Sequence, residues 1–461
     1  MSNVCGTTAV LFRSRRVAWI VTLALLGLGA CGGGGGAENS NPNPVTPPTP
    51  IAPSPNSPIA VPVVLTTITI QPQSASVLVG DPVTFTVAAS GDGHLSYQWQ
   101  RNGVDLVSAT AASYSLVGTL PADTGSTWTV KVSNSAGAVT SASATLNVKT
   151  QTGTISSATP DLSGSLDRFG GMNNFPKTYQ AIDSGGNIYV ANGKSILKVT
   201  LAGVTSVLVA SVAPTGLAVD AEGTVYFLDL DYQRAFFEFG TRFWGAFLRK
   251  ISPSGEVSTV RDVGLGSARN LSIDAAGNFY WQSGGVDTDM GAMNKLSRAG
   301  AVTTIEIKNR GLENLIRAKS GDFYGTISRV IGRKADNSFE FAASIVKISP
   351  RGETQTLAGS DVETGTKDGL GGSARFGELS GLAVDSVGNV YVADTSYSTI
   401  RKIRPNGFTC QVAGTAGADN RVPGIGSLPG TLPYLVGLVM GADDVLYATA
   451  TFAVLKIQFK D

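Results

Sequence analysis

Three polar residues of this sequence have a spacing that could bring them to one site, namely Asn192, Asp229 and Asp394. Each lies three residues after a tyrosine that recurs in a repeated unit. Because equivalent residues of a repeat occupy equivalent places in the fold, we expect all three on one rim. We treat them as candidate ligand-binding residues.

An unusually aromatic segment runs from Asp229 to Trp244. It adds six candidates for ligand binding, which are Asp231, Arg234, Phe236, Phe237, Arg242 and Trp244. Exposed aromatic faces, with Arg234 and Arg242 as polar partners, would suit a glycan, a peptide or a partner protein. The alternative is that this segment forms a short helix or hairpin, which packs its aromatic side chains over a central channel of the fold.

Catalytic and metal chemistry has few candidates. The only histidine is His94, a loop residue that we expect to be solvated, so no histidine base or metal ligand exists beyond it. Carboxylates that could offer oxygen ligands to Ca²⁺ are Asp229, Asp231, Asp287, Asp289, Asp361, Glu363, Asp368 and Asp394. None of these groups has the spacing of a calcium-binding loop. We therefore predict no catalytic residue, no metal and no cofactor, with Ca²⁺ as the alternative.

The elements that must position these residues follow from a repeat that starts near residue 150. Each unit has an apolar strand, a glycine turn, a strand that carries a tyrosine, and a strand that carries a lysine. The six pairs are Tyr189 and Lys198, Tyr226 and Lys250, Tyr280 and Lys295, Tyr324 and Lys347, Tyr391 and Lys402, and Tyr447 and Lys456. Six such units, most with a fourth strand, predict a six-bladed β-propeller over 150–461.

Two features of the repeat predict where the ring closes and where a ligand binds. The sixth unit stops at its third strand, so we expect residues 153–158 to supply its outer strand. The tyrosine-to-lysine distances are 9, 24, 15, 23, 11 and 9 residues, which places insertions between the second and third strands of units two, three and four. These connections share one rim with the inter-blade loops, and long loops on one face of a rigid scaffold commonly carry function. We expect the recurring turn aspartates to be turn formers and the lysines to be solvated.

The units resemble NHL repeats, a family of six-bladed propellers, over roughly the last 310 residues. Ala383-Val384-Asp385, Gly388 and Tyr391 of the fifth unit follow the family pattern closely, whereas the fourth and sixth units are degenerate. The resemblance implies a propeller closed by a strand from the start of the domain. Six-bladed relatives include metal-dependent lactonases and lyases, so a Ca²⁺-dependent enzyme of that kind is the alternative function.

Short alternating apolar strands between residues 63 and 149 predict a second all-β domain, a β-sandwich. The stretch from Tyr97 to Gly103 and the later Asn134-Ser135-Ala136-Gly137 resemble bacterial immunoglobulin-like domains. The resemblance makes Trp99 the core tryptophan and places Val87 and Val130 where many such domains have cysteines. We expect the module to be a spacer, with adhesion as the alternative.

The N-terminus predicts export and a lipid anchor. Three arginines precede an apolar run from Val17 to Ala30, too short for a comfortable membrane span but typical of a signal peptide over 1–30. The run ends at Leu28-Gly29-Ala30-Cys31, which resembles a bacterial lipobox and implies that Cys31 is lipidated. A Gly- and Pro-rich linker follows over 31–62. The alternative is an ordinary signal peptide.

Charge and cysteine content narrow the function. The net charge is +1 without a long basic cluster, so nucleic acid is not an expected partner. Two of the three cysteines lie in the first 31 residues, which excludes a disulfide framework in the processed protein. We favour a non-enzymatic lipoprotein of the outer membrane or cell surface that binds an unknown glycan, peptide or envelope protein through the long-loop rim. A structural role in envelope assembly is a third possibility.

Overall fold

The computed structural model describes most of the chain from residue 64 onward. The described ranges are 64–159, 179–238, 241–265, 268–283, 291–307, 311–335, 337–418, 423–450 and 453–460, without the side chains of 232–244. The predicted signal peptide, the lipidated Cys31 and the linker over 31–62 lie outside these ranges. All described residues belong to one compact unit that begins at Pro62. Within these ranges, no helix has both the length and the apolar character needed to cross a membrane.

Residues 67–149 form a β-sandwich of ten strands. In chain order these are β1 Thr67–Ile70, β2 Ala75–Leu78, β3 Val83–Thr86, β4 Ala88–Ser90, β5 Ser96–Arg101, β6 Val104–Asp105, β7 Ser113–Leu116, β8 Thr127–Asn134, β9 Gly137–Thr140 and β10 Ala144–Lys149. One layer contains the pairs β1–β4 and β3–β7, and the other has the order β2-β10-β8-β5-β6, with β9 on β8. The strand β2 runs parallel to β10. This pairing is immunoglobulin-like, as predicted.

The sandwich core is held by packing alone. Trp99 is fully buried, as expected, and its indole nitrogen donates a hydrogen bond to the carbonyl oxygen of Ala111 at 2.9 Å. Trp128 stacks on Phe85 with a centroid distance of 4.9 Å. The valines at the positions of the usual cysteines, Val87 and Val130, are both buried. Aromatic stacking and aliphatic burial thus take the place of an inter-sheet disulfide.

Six sheets form the predicted propeller, four of them with four strands and two with a short fifth strand at the edge. Blade 1 has β12 Tyr179–Ile182, β13 Ile188–Ala191, β14 Ser195–Val199 and β15 Thr205–Ala210, and blade 2 has β16 Pro214–Val219, β17 Val225–Glu238, β18 Thr241–Ile251 and β19 Val257–Leu265. Blade 3 has β20 Arg269–Ile273, β21 Phe279–Ser283, β22 Gly291–Leu296 and β23 Val302–Ile307. Blade 4 has β24 Leu312–Arg317, β25 Phe323–Arg333, β26 Phe339–Ile348 and β27 Thr354–Gly359. Blade 5 has β29 Leu379–Val384, β30 Val390–Asp394, β31 Thr399–Ile403 and β32 Phe408–Gly414, with β28 Gly369–Leu370 outside it; blade 6 has β34 Leu435–Met440, β35 Leu446–Ala450, β36 Val454–Lys460 and β11 Thr152–Ser157, with β33 Gly426–Ser427 outside it. Short 3-10 helices occur at Pro121–Asp123, Gly371–Ser373 and Ala442–Asp444.

The inner strands close a ring around a narrow channel. Each of β12, β16, β20, β24, β29 and β34 contacts the inner strand of the next blade, and β34 contacts β12. The ring is completed by β11, which pairs with β36 with Ile155 opposite Ile457. This confirms the predicted closure, shifted by one residue. The channel between the inner strands encloses a cavity of about 110 Å³.

The six tyrosine–lysine pairs lie directly opposite each other on the second and third strands. This register confirms the count of six blades. The turn aspartates form turns as predicted; in blade 1, Asp183 accepts hydrogen bonds from the backbone of Asn187 and from the hydroxyl of Tyr189. Lys198 is half-buried, and its ammonium group lies 5.6 Å from the ring centroid of Tyr189, whereas Lys250 is exposed. We call the face that carries these turns the turn face.

The sandwich packs against the outer strand of blade 5. Arg404 forms an ion pair with Asp81, and the side-chain amide of Asn406 donates to the carbonyl oxygen of Val117 at 2.8 Å. The ring of Phe408 covers Gly118 so closely that a Cβ atom there would lie 2.3 Å from it. Two residues alone separate β10 from β11. The module is therefore docked on the propeller, and its role as a spacer or in adhesion stays a prediction.

Candidate functional site

The insertions in blades 2 and 4 are long hairpins on the face opposite the turn face, which we call the loop face. In blade 2 the inner strand ends its pairing at Asp229, while β17 and β18 continue to Glu238 and Thr241. In blade 4 the inner strand pairs as far as Ile327, and β25 continues to Arg333. The backbone of the blade 2 insertion is thus a hairpin and not a short helix. The insertion of blade 3 lies largely outside the described residues.

Five of the predicted aromatic and arginine candidates cannot be placed. The side chains of Arg234, Phe236, Phe237, Arg242 and Trp244 lie outside the described residues. Their role in ligand binding stays a prediction. Asp231 lies next to a bulge in the same hairpin, opposite Gly245.

Of the three candidates at equivalent repeat positions, Asp394 ends β30 and Asn192 follows β13, whereas Asp229 lies within β17. Asp229 and Asn192 bond within their own blades. Asp229 accepts a hydrogen bond from the backbone of Ala213 at 2.8 Å and forms an ion pair with Arg249 at 3.2 Å. Asn192 accepts from the backbone nitrogen of Ser195 at 2.8 Å. These contacts stabilise the local backbone, and ligand binding by these residues stays a prediction.

Asp394 is a buried carboxyl group with a raised pKa. It is fully buried, and its Oδ2 accepts a hydrogen bond from the backbone of Gly377 at 3.1 Å. Its Oδ1 is buried without a hydrogen-bond partner among the described residues. Burial raises the pKa of Asp394 to about 7, although the Gly377 hydrogen bond and the Arg401 charge act in the opposite direction.

Four of the eight acidic residues considered for Ca²⁺ pair with arginines, and Asp229 with Arg249 is one of them. Asp361 pairs with Arg329 at 3.1 Å. Glu363 pairs with Arg375, and Asp368 pairs with Arg401. No group of three potential metal ligands is brought together in the described parts of the chain, which do not include Asp287 and Asp289.

A cluster that the sequence analysis missed surrounds the loop-face end of the channel. Tyr179 and Arg269 begin the inner strands of blades 1 and 3, and Glu313 is the second residue of the inner strand of blade 4. Burial raises the pKa of Tyr179 to about 12, and the opposite charges of Arg269 and Glu313 act on it in opposite directions. Burial also lowers the pKa of Arg269, and Tyr179 and Glu313 counter that effect. We call Tyr179, Arg269 and Glu313 the channel-mouth cluster.

Amide side chains continue this polar surface into the channel. Asn270 donates to the amide oxygen of Gln282 at 2.9 Å, and Gln282 donates to the carbonyl oxygen of Leu312 at 3.1 Å. Asn270 has a left-handed backbone (φ 58°) at a bulge of its strand, which turns the chain locally. In contrast, the amide oxygen and nitrogen of Gln180 are buried without hydrogen-bond partners among the described residues.

This arrangement suits binding better than catalysis. Tyr179 and Gln180 of blade 1 line the channel cavity, and the charges of Arg269 and Glu313 from blades 3 and 4 act on Tyr179. The cavity of about 110 Å³ is too small for a sugar, so a ligand would lie at the mouth and insert a polar group. A polar residue at or near the start of successive inner strands is the sequence signal that could have revealed the cluster.

Comparisons with known proteins agree with this architecture. No protein-family model and no curated protein matches the sequence. A protein of unknown function from Bacteroides thetaiotaomicron aligns with a TM-score of 0.50 and 17% identity, over 88% of this chain and 99% of its own. Auxiliary nutrient binding proteins from Bacteroides thetaiotaomicron and Bacteroides ovatus give TM-scores of 0.48 and 0.49 at 11% and 12% identity, each over 87% of this chain and 99% of its own. At 17% identity, the likeness to the protein of unknown function from Bacteroides thetaiotaomicron concerns the fold alone.

Proposed function

We propose that this protein is an exported, lipid-anchored and non-enzymatic binding protein whose propeller takes a hydroxyl-rich ligand, such as a glycan, at the loop-face mouth of its channel. The observation that carries the proposal is Gln180, whose buried amide lacks hydrogen-bond partners among the described residues next to a polar opening. An unsatisfied buried amide costs about 1–3 kcal/mol, and a ligand hydroxyl that both donates and accepts would remove that cost.

The electrostatics favour a neutral ligand over an ion. Tyr179 stays protonated because its pKa is raised to about 12. The Arg269 and Glu313 charges are opposite and act on the same site, so the mouth attracts neither cations nor anions strongly. Hydroxyl groups, which donate and accept, match such a mixed set of partners. The hairpins of blades 2 and 4 rise on the same face and would flank a larger ligand.

A glycan array tests this proposal on the whole chain carrying Cys31→Ser. We expect one or more neutral glycans to bind, and Gln180→Met to weaken that binding at least tenfold. The matched control is Gln458→Met, a change at an exposed glutamine of β36, which should have no effect. Glycan binding that survives Gln180→Met, or that the sandwich reproduces alone, would rule out the channel mouth as the site.

The anchor has its own test. The order of arginines, apolar run and Leu28-Gly29-Ala30-Cys31 supports lipidation at Cys31. Cells grown with a palmitate analogue should label the wild-type protein and the Cys5→Ser variant, but not Cys31→Ser. Labelling that persists in Cys31→Ser would exclude this anchor.

A further inference from the structure

The sixth blade differs from the other five because it supplies no carboxylate to its own tyrosine and lysine. In blades 1, 3 and 5 the tyrosine hydroxyl donates to a turn aspartate, which is Asp183, Asp274 or Asp385. Asp220 plays this part in blade 2. In blade 4, Asp322 pairs with Lys347 at 2.9 Å. Five blades thus supply one carboxylate each to their own pair.

Blade 6 supplies none. Gly441 occupies the turn position where the complete units have aspartate, and its nitrogen makes the same turn hydrogen bond to Val445 that Asp183 makes to Asn187. A Cβ atom on Gly441 would lie 2.9 Å from the Tyr447 ring and 3.1 Å from Ile182, so the packing itself disfavours a side chain there. The nearby Asp444 accepts hydrogen bonds from Ser386 of blade 5 instead.

The two donors of this blade line a cavity. Tyr447 is only 6% exposed and Lys456 is half-buried, and neither has a hydrogen-bond or ion-pair partner within the described part of the chain. The cavity lies on the turn face between blades 6 and 1 and measures about 430 Å³. Its lining combines these donors with the apolar residues Ala158, Ile188, Leu201 and Ala202.

We propose that this cavity binds a small organic carboxylate, whose carboxyl group takes the place of the aspartate that blade 6 lacks. In the other blades a carboxylate accepts from the tyrosine hydroxyl or, in blade 4, pairs with the lysine ammonium, and bonds between charged partners are stronger than neutral ones. The apolar walls would contact a hydrocarbon tail. The volume lies within the range of about 300–1,000 Å³ typical of small-molecule sites. The site is on the face opposite the channel mouth and is independent of ligand binding there.

Ligand-observed NMR titration of the whole chain with hexanoate tests the proposal, with hexanol as the neutral match. We expect hexanoate to bind at least tenfold more tightly than hexanol. Lys456→Met and Tyr447→Phe should each weaken hexanoate binding at least fivefold. The matched control is Lys295→Met, which changes the same repeat position in blade 3, where Asp274 is present.

Three results would overturn the carboxylate site. These are no binding of hexanoate to the wild-type protein, equal affinity for hexanol, or unchanged affinity in both blade 6 variants. Equal weakening by Lys295→Met would count the same way, because it would indicate a general charge effect. Melting temperatures of all variants show whether they are folded, and Lys456→Gln provides a second removal of the charge if Lys456→Met does not fold.

Discussion

The sulfur atom of Cys410 lies 3.8 Å from the backbone carbonyl oxygen of Val79, although the first residue belongs to the propeller and the second to the sandwich. The thiol is fully buried at this junction. Burial raises the pKa of Cys410 to about 11, so the group is a neutral donor at physiological pH. This contact makes the thiol a reporter of whether the two domains are docked.

We predict that Cys410 is unreactive while the domains are docked. In a chain of residues 32–461 it is the only cysteine, so the signal is unambiguous. A buried thiol with a raised pKa provides little thiolate for reaction. Ellman's reagent at pH 8 should label it slowly in buffer and rapidly in denaturant. Fast labelling in buffer would mean that the junction opens readily.

Gly118→Ala should weaken the docking. The added Cβ would lie 2.3 Å from the Phe408 ring, so either the ring or the sandwich must move. Overpacking of this kind costs about 1–3 kcal/mol. We expect a lower urea midpoint and faster labelling of Cys410. Gly372→Ala is the control, because nothing lies within 4 Å of a Cβ atom there. Unchanged labelling in Gly118→Ala would show that this contact does not hold the domains together.

Asp394 should make the stability of the protein fall as the pH rises. Its pKa in the folded protein, about 7, lies above the ordinary value of about 4 that it has when unfolded. The folded state therefore holds the proton more tightly. The resulting stabilisation is fully present below pH 4 and is lost as the pH rises through about 7. One proton contributes a slope of at most about 1.4 kcal/mol per pH unit.

Urea unfolding between pH 4.5 and 8 measures this effect. Asp394→Asn should flatten the decline over that range, because the amide has no proton to lose. Asp361→Asn, at a half-exposed ion pair, serves as the control for loss of a carboxylate. An identical pH profile for the wild-type protein and Asp394→Asn would refute the assignment.

Ile155→Ala should destabilise the propeller by opening the contact that closes its ring. Ile155 is buried in β11 and lies opposite Ile457 of β36. Removal of a buried isoleucine side chain typically costs about 2–5 kcal/mol. The control is Val207→Ala in the outer strand of blade 1, where the side chain is exposed. Equal urea midpoints for the two variants would mean that β11 contributes little to closure.

The repeat positions were predictable from sequence because each depends on local pattern. Tyr391 and Lys402 face each other since a glycine turn and two alternating strands fix their register. The same reasoning located the hairpins, whose length is visible as extra residues between tyrosine and lysine. It also located the closing strand, because the sixth unit lacks its own.

Other features were not predictable because they depend on contacts between distant residues. Arg269 and Glu313 reach the channel mouth from different blades, and bulges in their strands shift the alternation that a regular strand would have. The docking of the sandwich depends on Phe408 meeting Gly118, a fit of shapes with no periodic signal. Asn192 and Asp229 lie at equivalent positions of the repeat, as predicted, but the repeat pattern does not show the hydrogen bonds that each makes within its own blade.

The closing strand also sets an order for folding. The side chain of Gln151, beside β11, bonds to the backbone of Lys460 at the end of β36, 309 residues away in sequence. The ring thus stays open until all six blades have left the ribosome, and loop closure over such a distance is slow. Until then both edges of the unfinished ring have unpaired backbone groups that could pair with another chain. A chain with this architecture would benefit from a chaperone that protects the edges until the last blade is complete.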